Sequence, residues 1–182
     1  MFDCIILGIV LDKSLTGYDI KKEIESKIGN FYKVSHGKLY PTLKKLADKS
    51  FLTMNEEMQG GRQKKYYQAT ESGKTAFFEW LTSPIDLNAN AEAQLVQIFF
   101  YGKLSKETRE KRLQEYEFLI QQQVQQLEAI AKGISSEDMS DEDYFETAIL
   151  YFGIHSTHNS LRWLKYIKEQ KHLSQLLCEN EK

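Results

Sequence analysis

Residues 2 to 11 are apolar with almost no polar relief, a run that fits a short helix buried on every side. A helical period follows. Ile20, Ile24 and Ile28 stand four apart and share one face. Thr16 is placed to cap this second helix, with Asp19 as the reciprocal half of a capping box. Leu15 can staple onto Ile20, and Gly29 is a natural stop. A third helix is expected after Ser35, with Leu39, Leu43 and Leu46 turned inward. Pro41 lies inside it, and its ring meets the carbonyl of Gly37. So close to the helix start the cost is tolerable, with a bend in the first turns.

The period then shortens to two. "FLTMNEE" and "KKYYQAT" read as strands around "MQGGRQ", where Gly60 and Gly61 supply the positive φ of a hairpin turn. Thr70 caps a fourth helix running to about Ser83, packed through Phe77, Phe78, Trp80 and Leu81 and ended by Pro84. Beyond it there is no strand signal. Leu113, Ile120, Leu127 and Ile134 recur seven apart, with Tyr116 and Ile130 between them and a glutamine at position 123. That is a heptad seam with one polar break. "KGISSEDMSDED" reads as a loop and helix start. A last long helix is expected from about Tyr144 to Leu177, carrying Phe145, Ile149, Phe152, Trp163 and Ile167. The fold class predicted is mainly α. The order helix, helix, helix, strand, strand, helix predicts a winged helix-turn-helix domain over 1–83, and a second, α-helical domain is expected over 84–182.

The 182 residues are 41% apolar and 27% charged, a folded, soluble composition. No apolar run approaches the roughly 20 residues of a membrane span, so no membrane partner is expected. The N-terminus is acidic and lacks a small-residue cleavage site, which argues against a signal peptide. Cys4 and Cys178 sit at opposite ends, so a reduced, cytoplasmic chain is the default. The net charge of -2 hides an asymmetry. Residues 1 to 83 hold 13 Lys+Arg against 10 Asp+Glu, and residues 84 to 182 hold 11 against 16. A basic front half and an acidic back half suggest two tasks.

On the third helix Lys38, Thr42, Lys45 and Lys49 share a face, taken as roughly opposite the leucines. His36 and Tyr40 stand near its leading end. Lysines reach phosphates or guanine acceptors, and a threonine methyl can meet a thymine methyl. Alone, such a face is more often merely solvated. Arg62, Lys64 and Lys65 on the hairpin change that balance, because a basic wing beside such a helix grips a DNA backbone. His155 and His158 share a helix face, yet no third ligand stands close in sequence, so no metal is expected. Phosphate-cradling, zinc-protease and nucleophile-elbow motifs are absent, so neither an enzyme nor a cofactor is expected. Tyr18, Phe152, His155 and Trp163 are candidates to line an aromatic effector cavity between the domains, core packing being the commoner role for each. The heptad stripe of Leu113, Ile120, Leu127 and Ile134 must pack on the last helix or on a second chain. A self-complementary stripe makes a two-fold dimer. The other possibility is a monomer whose two long helices pair.

Gly17-Tyr18, "LYPTLKKL" at 39 to 46 after the aromatic pair Phe31 and Tyr32, the glycine-basic wing, and Thr70-Glu71-Ser72-Gly73 together resemble the PadR family of bacterial transcription regulators. The back half is more loosely similar to the helical C-terminal domain of its longer members. The resemblance implies a homodimer on a palindromic double-stranded DNA operator, with the long helices as the dimer interface. It also implies release by a small, phenolic or drug-like aromatic effector. Lys38, Tyr40 and Thr42 then match the recognition helix, and Arg62, Lys64 and Lys65 the wing. With its first helix starting near Met1, the chain is expected to lack the N-terminal arm of some relatives. The alternatives are an AphA-type activator without a small ligand, or a helical protein-interaction module.

Overall fold

In the computed structural model, which describes residues 1–87, 89, 91–134 and 139–178, the N-terminal apolar run forms α1 (Phe2–Ile9). It needs no polar face, because Ile5, Ile6 and Leu7 are all but inaccessible to solvent. Ile20, Ile24 and Ile28 of α2 (Gly17–Ile28) and Leu39, Leu43 and Leu46 of α3 (His36–Asp48) complete this core. Thr16 caps α2, accepting from the Asp19 amide at 3.2 Å. The Asp19 carboxylate does not complete the expected box but takes the Thr16 hydroxyl at 2.6 Å. Thr16 is also half of a two-residue strand, β1 (Leu15–Thr16), too short to leave a period in the sequence.

Pro41 leaves α3 continuous. The helix ends on Ser50 in the left-handed region, with φ 57. Ser50 and Phe51 donate to the Ala47 and Leu46 carbonyls, both at 2.9 Å, closing the last turn. β2 (Leu52–Gln59) and β3 (Arg62–Ala69) pair antiparallel along their whole length. The order β1-β3-β2 makes a three-stranded sheet. The turn is Gly60-Gly61, with φ of 59 and 75, the two-residue geometry that matches strand twist. α4 (Glu71–Thr82) is tied to the end of α3. Thr70 and Ser72 both donate hydroxyls to the Ser50 carbonyl, at 2.7 and 2.9 Å. Gly73 lies so close to the Phe51 carbonyl that a Cβ would collide with it.

The chain forms two compact units, Met1–Leu104 and Ser105–Lys182. Residues past Pro84 stay with the winged unit through α5 (Ala91–Phe99) and a single 3-10 turn, Tyr101–Lys103. Phe100 packs edge-on against Phe77 at 5.3 Å between centroids. The buried Gln97 amide donates to the Trp80, Leu81 and Ser83 carbonyls at 3.2, 3.3 and 2.7 Å. A polar side chain thus satisfies the open end of α4.

The second unit is an antiparallel pair, α6 (Lys106–Lys132) and α7 (Asp141–Lys168), followed by a short α8 (Gln175–Cys178). Ser140 and Asp143 form a full capping box at the start of α7. His158 meets Glu128 at 2.8 Å, and Lys168 pairs with Glu117, which sets the helices head to tail. The single helix expected to reach Leu177 stops at Lys168. Gln170 turns left-handed, with φ 50, and the Lys171 amide bonds the Tyr166 carbonyl at 3.0 Å. Leu113, Tyr116, Ile120 and Val124 of α6 are buried in this unit, as are Ile154 and Leu164 of α7. No helix among the described residues is long and apolar enough to cross a membrane.

Candidate nucleic-acid interface

The leucine face of α3 points into the core, so its outward residues follow from helix geometry. At 3.6 residues per turn, Lys38, Thr42, Lys45 and Lys49 lie about a quarter-turn from the leucines, not opposite them. The structure uses that flank against α1. The Lys38 ammonium sits 5.0 Å from the Phe2 ring centroid and 5.6 Å from that of Tyr32, and donates to the Tyr32 hydroxyl at 3.2 Å. Lys45 pairs with Asp3 at 2.7 Å. Thr42 turns its hydroxyl back to the Lys38 carbonyl at 2.8 Å. These corrections do not remove the lysines from reach. Exposed ion pairs of this kind are worth about 0–1 kcal/mol, so a phosphate can take them over. The His36 side chain lies outside the described residues.

The other edge of α3 carries Tyr40, 48% exposed, and Lys44, which has no ion-pair partner among the described residues. Lys44 lies off the face shared by Lys38, Thr42, Lys45 and Lys49, so that spacing does not single it out. Tyr40 lines an open cleft of about 670 Å³ together with Thr16, Gly17, Tyr18, Asp19, Gln63, Lys64, Lys65 and Tyr67. The Tyr67 phenol is pushed above its ordinary value mainly by burial, and Tyr40 and Glu56 add to the rise while Lys65 opposes it.

Strand alternation divides the wing cations between two faces. Register pairs Arg62 with Gln59 and Lys64 with Glu57 on one face, and Lys65 with Glu56 on the other. Lys65 lies 3.5 Å from Glu56, whose carboxylate also accepts from Gln63. Arg62, at the turn, is exposed with no carboxylate partner among the described residues. The wing therefore offers Arg62 at its tip and one lysine on each face, rather than a single cluster.

Residues 6–79 match the transcriptional regulator PadR-like family, and residues 92–170 match the family described as virulence activator alpha C-term. The negative transcriptional regulator PadR of Bacillus subtilis (strain 168) is 31% identical over 176 residues, which cover 89% of this chain and 92% of that protein. The chain belongs to the PadR family. Its PadR-like segment spans α1 to α4 with the wing, so α3 and the cleft lie within the matched region. The crystal structure of Bacillus subtilis PadR in complex with operator DNA is 27% identical, with a TM-score of 0.46, covering 93% of this chain and 98% of that one. The same protein in complex with p-coumaric acid is 26% identical, with a TM-score of 0.42, covering 93% and 97%. The chain is a PadR-like, DNA-binding transcriptional regulator.

The four effector candidates do not come together in one unit. Tyr18 belongs to the first and lines the cleft beside α3. Phe152, His155 and Trp163 lie on α7, where Phe152 and His155 are exposed. His158 is engaged by Glu128, and no cluster of three metal-ligating side chains occurs among the described residues.

The expected dimerisation stripe is divided by burial in this chain. Leu113 and Ile120 are buried and Leu127 half-buried in the unit where α6 packs along α7, while Ile134 is exposed. The seam was a true stripe with an intrachain role for its first half. The stripe left open is on α7, where Phe145, Ile149 and Phe152 are 70, 72 and 69% exposed.

Proposed function

We propose that this PadR-family chain is a homodimeric repressor that binds a palindromic operator and is released by a small aromatic molecule. One observation carries the DNA contact surface. Tyr40 of α3 and Gln63, Lys64 and Lys65 of the glycine-tipped basic hairpin border the same cleft of one unit. Helix edge and wing then engage adjacent stretches of duplex, with Arg62, Lys64 and Lys65 on phosphates. Repression is supported by the Bacillus subtilis relative, a negative regulator matched over nearly its whole length.

The dimer contact is assigned to the open α7 stripe. Three large apolar side chains at 4,3 spacing, each more than two-thirds exposed, suit a self-complementary two-fold interface. Release by a small aromatic ligand follows the family resemblance. Such a ligand weakens DNA binding only by its differential affinity for an arrangement of the two wings that does not fit the operator.

The test is a fluorescence anisotropy titration against DNA from upstream of the protein's own gene and against random duplex. It is run at two salt concentrations, with and without a panel of phenolic acids. Tight, salt-sensitive, upstream-selective binding that one compound abolishes is expected. Equal binding to both duplexes at both salts would turn the reading to a protein-interaction module.

A further inference from the structure

A second cavity, of about 290 Å³, lies wholly within the first unit and has no part in the DNA surface. Ligand pockets run from roughly 300 to 1,000 Å³, so this one suits a compact molecule. Its apolar wall is Phe99, the last residue of α5, and Phe100 beside it. Gly8 of α1 seats that wall. A Cβ there would lie 2.6 Å from Cε1 of Phe100, so the missing side chain lets the ring settle onto α1. Gly102 also lines the cavity, and a Cβ at that position would meet nothing within 4 Å.

The polar wall is cationic. Lys13, Lys27 and Lys103 line the cavity against a single carboxylate, Asp12. Asp12 accepts from Lys103 at 2.8 Å, while Lys13 and Lys27 share Glu23 at 2.8 and 2.7 Å. Three ammonium groups thus face two carboxylates, and one positive charge is left over. The pairs are open to water, with the Asp12 side chain 74% exposed. Such pairs are worth only about 0–1 kcal/mol each, so an incoming anion can take over ammonium groups that are already in place. A ligand with one negative charge balances the surplus, and an apolar body on it covers the phenyl wall.

We infer that this cavity binds a small organic monoanion, its carboxylate held among Lys13, Lys27 and Lys103 and its apolar body lying against Phe99 and Phe100. This rests on the ligand-released reading above, for which it supplies a site inside the winged unit itself. The site also has a route to the wing. Two residues after Lys13 the chain enters β1, whose Leu15 and Thr16 pair with Tyr67 and Tyr66 of β3. A ligand that draws Lys13 from Glu23 and Lys103 from Asp12 frees the loop that leads into β1. Its affinity then depends on the arrangement of the wing, and operator affinity depends on the ligand.

Isothermal titration calorimetry of the full chain with benzoate, benzamide and acetate tests the site. Anisotropy on the upstream duplex, with and without benzoate, reads its consequence. Benzamide lacks the charge and acetate lacks the body, so each should bind at least about 10-fold more weakly than benzoate, the scale of one lost charge-assisted contact. Lys103→Gln should weaken benzoate by about 10-fold on the same grounds, and Gly102→Leu, which fills the cavity, should abolish its binding. Both positions are exposed, so both variants are expected to melt as the unmodified protein does. Benzoate should loosen the unmodified protein from the duplex and leave Gly102→Leu bound. Equal benzoate binding by the unmodified protein and both variants would place the ligand elsewhere, overturning this site and keeping the ligand-released reading. Benzamide binding as tightly as benzoate, or no benzoate binding at all, would overturn the anion site. Benzoate bound in the cavity with operator affinity unchanged would overturn the route through β1. No duplex binding by the unmodified protein would overturn the DNA reading, which calorimetry on the free chain does not depend on.

Discussion

Lys45 reaches back to Asp3 across 42 residues of chain, and this single pair shows why helix faces alone misjudge a site. The spacing of Lys38, Thr42 and Lys45 is real, yet α1 occupies part of the space their flank looks into. Freeing Lys45 should therefore favour DNA. Asp3→Asn is expected to leave thermal stability within about 1 kcal/mol, as for an exposed pair. It should tighten binding a few-fold in a low-salt anisotropy titration. Unchanged affinity would mean that Lys45 never reaches a phosphate. Glu23 makes a second residue-scale case. Its hydrogen bonds to Lys13 and Lys27 lower its pKa from 4.5 to about 2. A depressed carboxylate contributes stability that is present above its unfolded value and lost as pH falls through the folded one. Thermal melts of Glu23→Gln against wild type should thus differ most near pH 6, and the gap should close between about pH 4.5 and 2.

Among the elements, α1 to α4 and the hairpin were legible because each has a period, a cap or a stop of its own. Ile20-Ile24-Ile28, Thr16, Thr70 and Gly60-Gly61 are local signals, and local geometry obeys them. β1 and the end of α7 were not legible. The first is two residues long, and the second depends on Gln170 turning left-handed where no glycine marks the place. α5 was the subtler case. Gln97 reads as a surface polar residue, but its buried amide closes the carbonyl end of α4. Gln97→Ala should cost about 1–3 kcal/mol, the penalty of leaving buried acceptors unpaired, measured as a lower urea midpoint with an unchanged slope. A shallower slope would indicate that α5 had already detached.

For the whole molecule, the question is which apolar stripe meets a second chain. Leu113 and Ile120 of the α6 heptad are buried within this chain, where α6 packs along α7. Leu113→Ala should therefore lower stability by about 2–5 kcal/mol, the range for a truncated core leucine, without changing the mass of the folded species. Ile149→Glu should do the reverse. It is expected to leave the helical circular dichroism intact and shift sedimentation from dimer to monomer. Operator affinity should fall by orders of magnitude, because one half-site no longer holds the other. A dimer persisting in Ile149→Glu would move the interface off α7.

By itself the sequence determined the winged core, the order of its elements, the glycine-tipped basic wing and membership in a DNA-binding family. Those follow from short-range periodicity and turn chemistry, which act between residues close in the chain. Only the tertiary structure decided which cations are engaged and which are open, since Asp3, Phe2 and Tyr32 reach Lys45 and Lys38 from other elements. It alone assigned α5 to the winged unit, brought Tyr18 beside Tyr40, and left the α7 stripe uncovered. Each of these depends on contacts between segments far apart in the chain, and such contacts leave no period in the sequence to read.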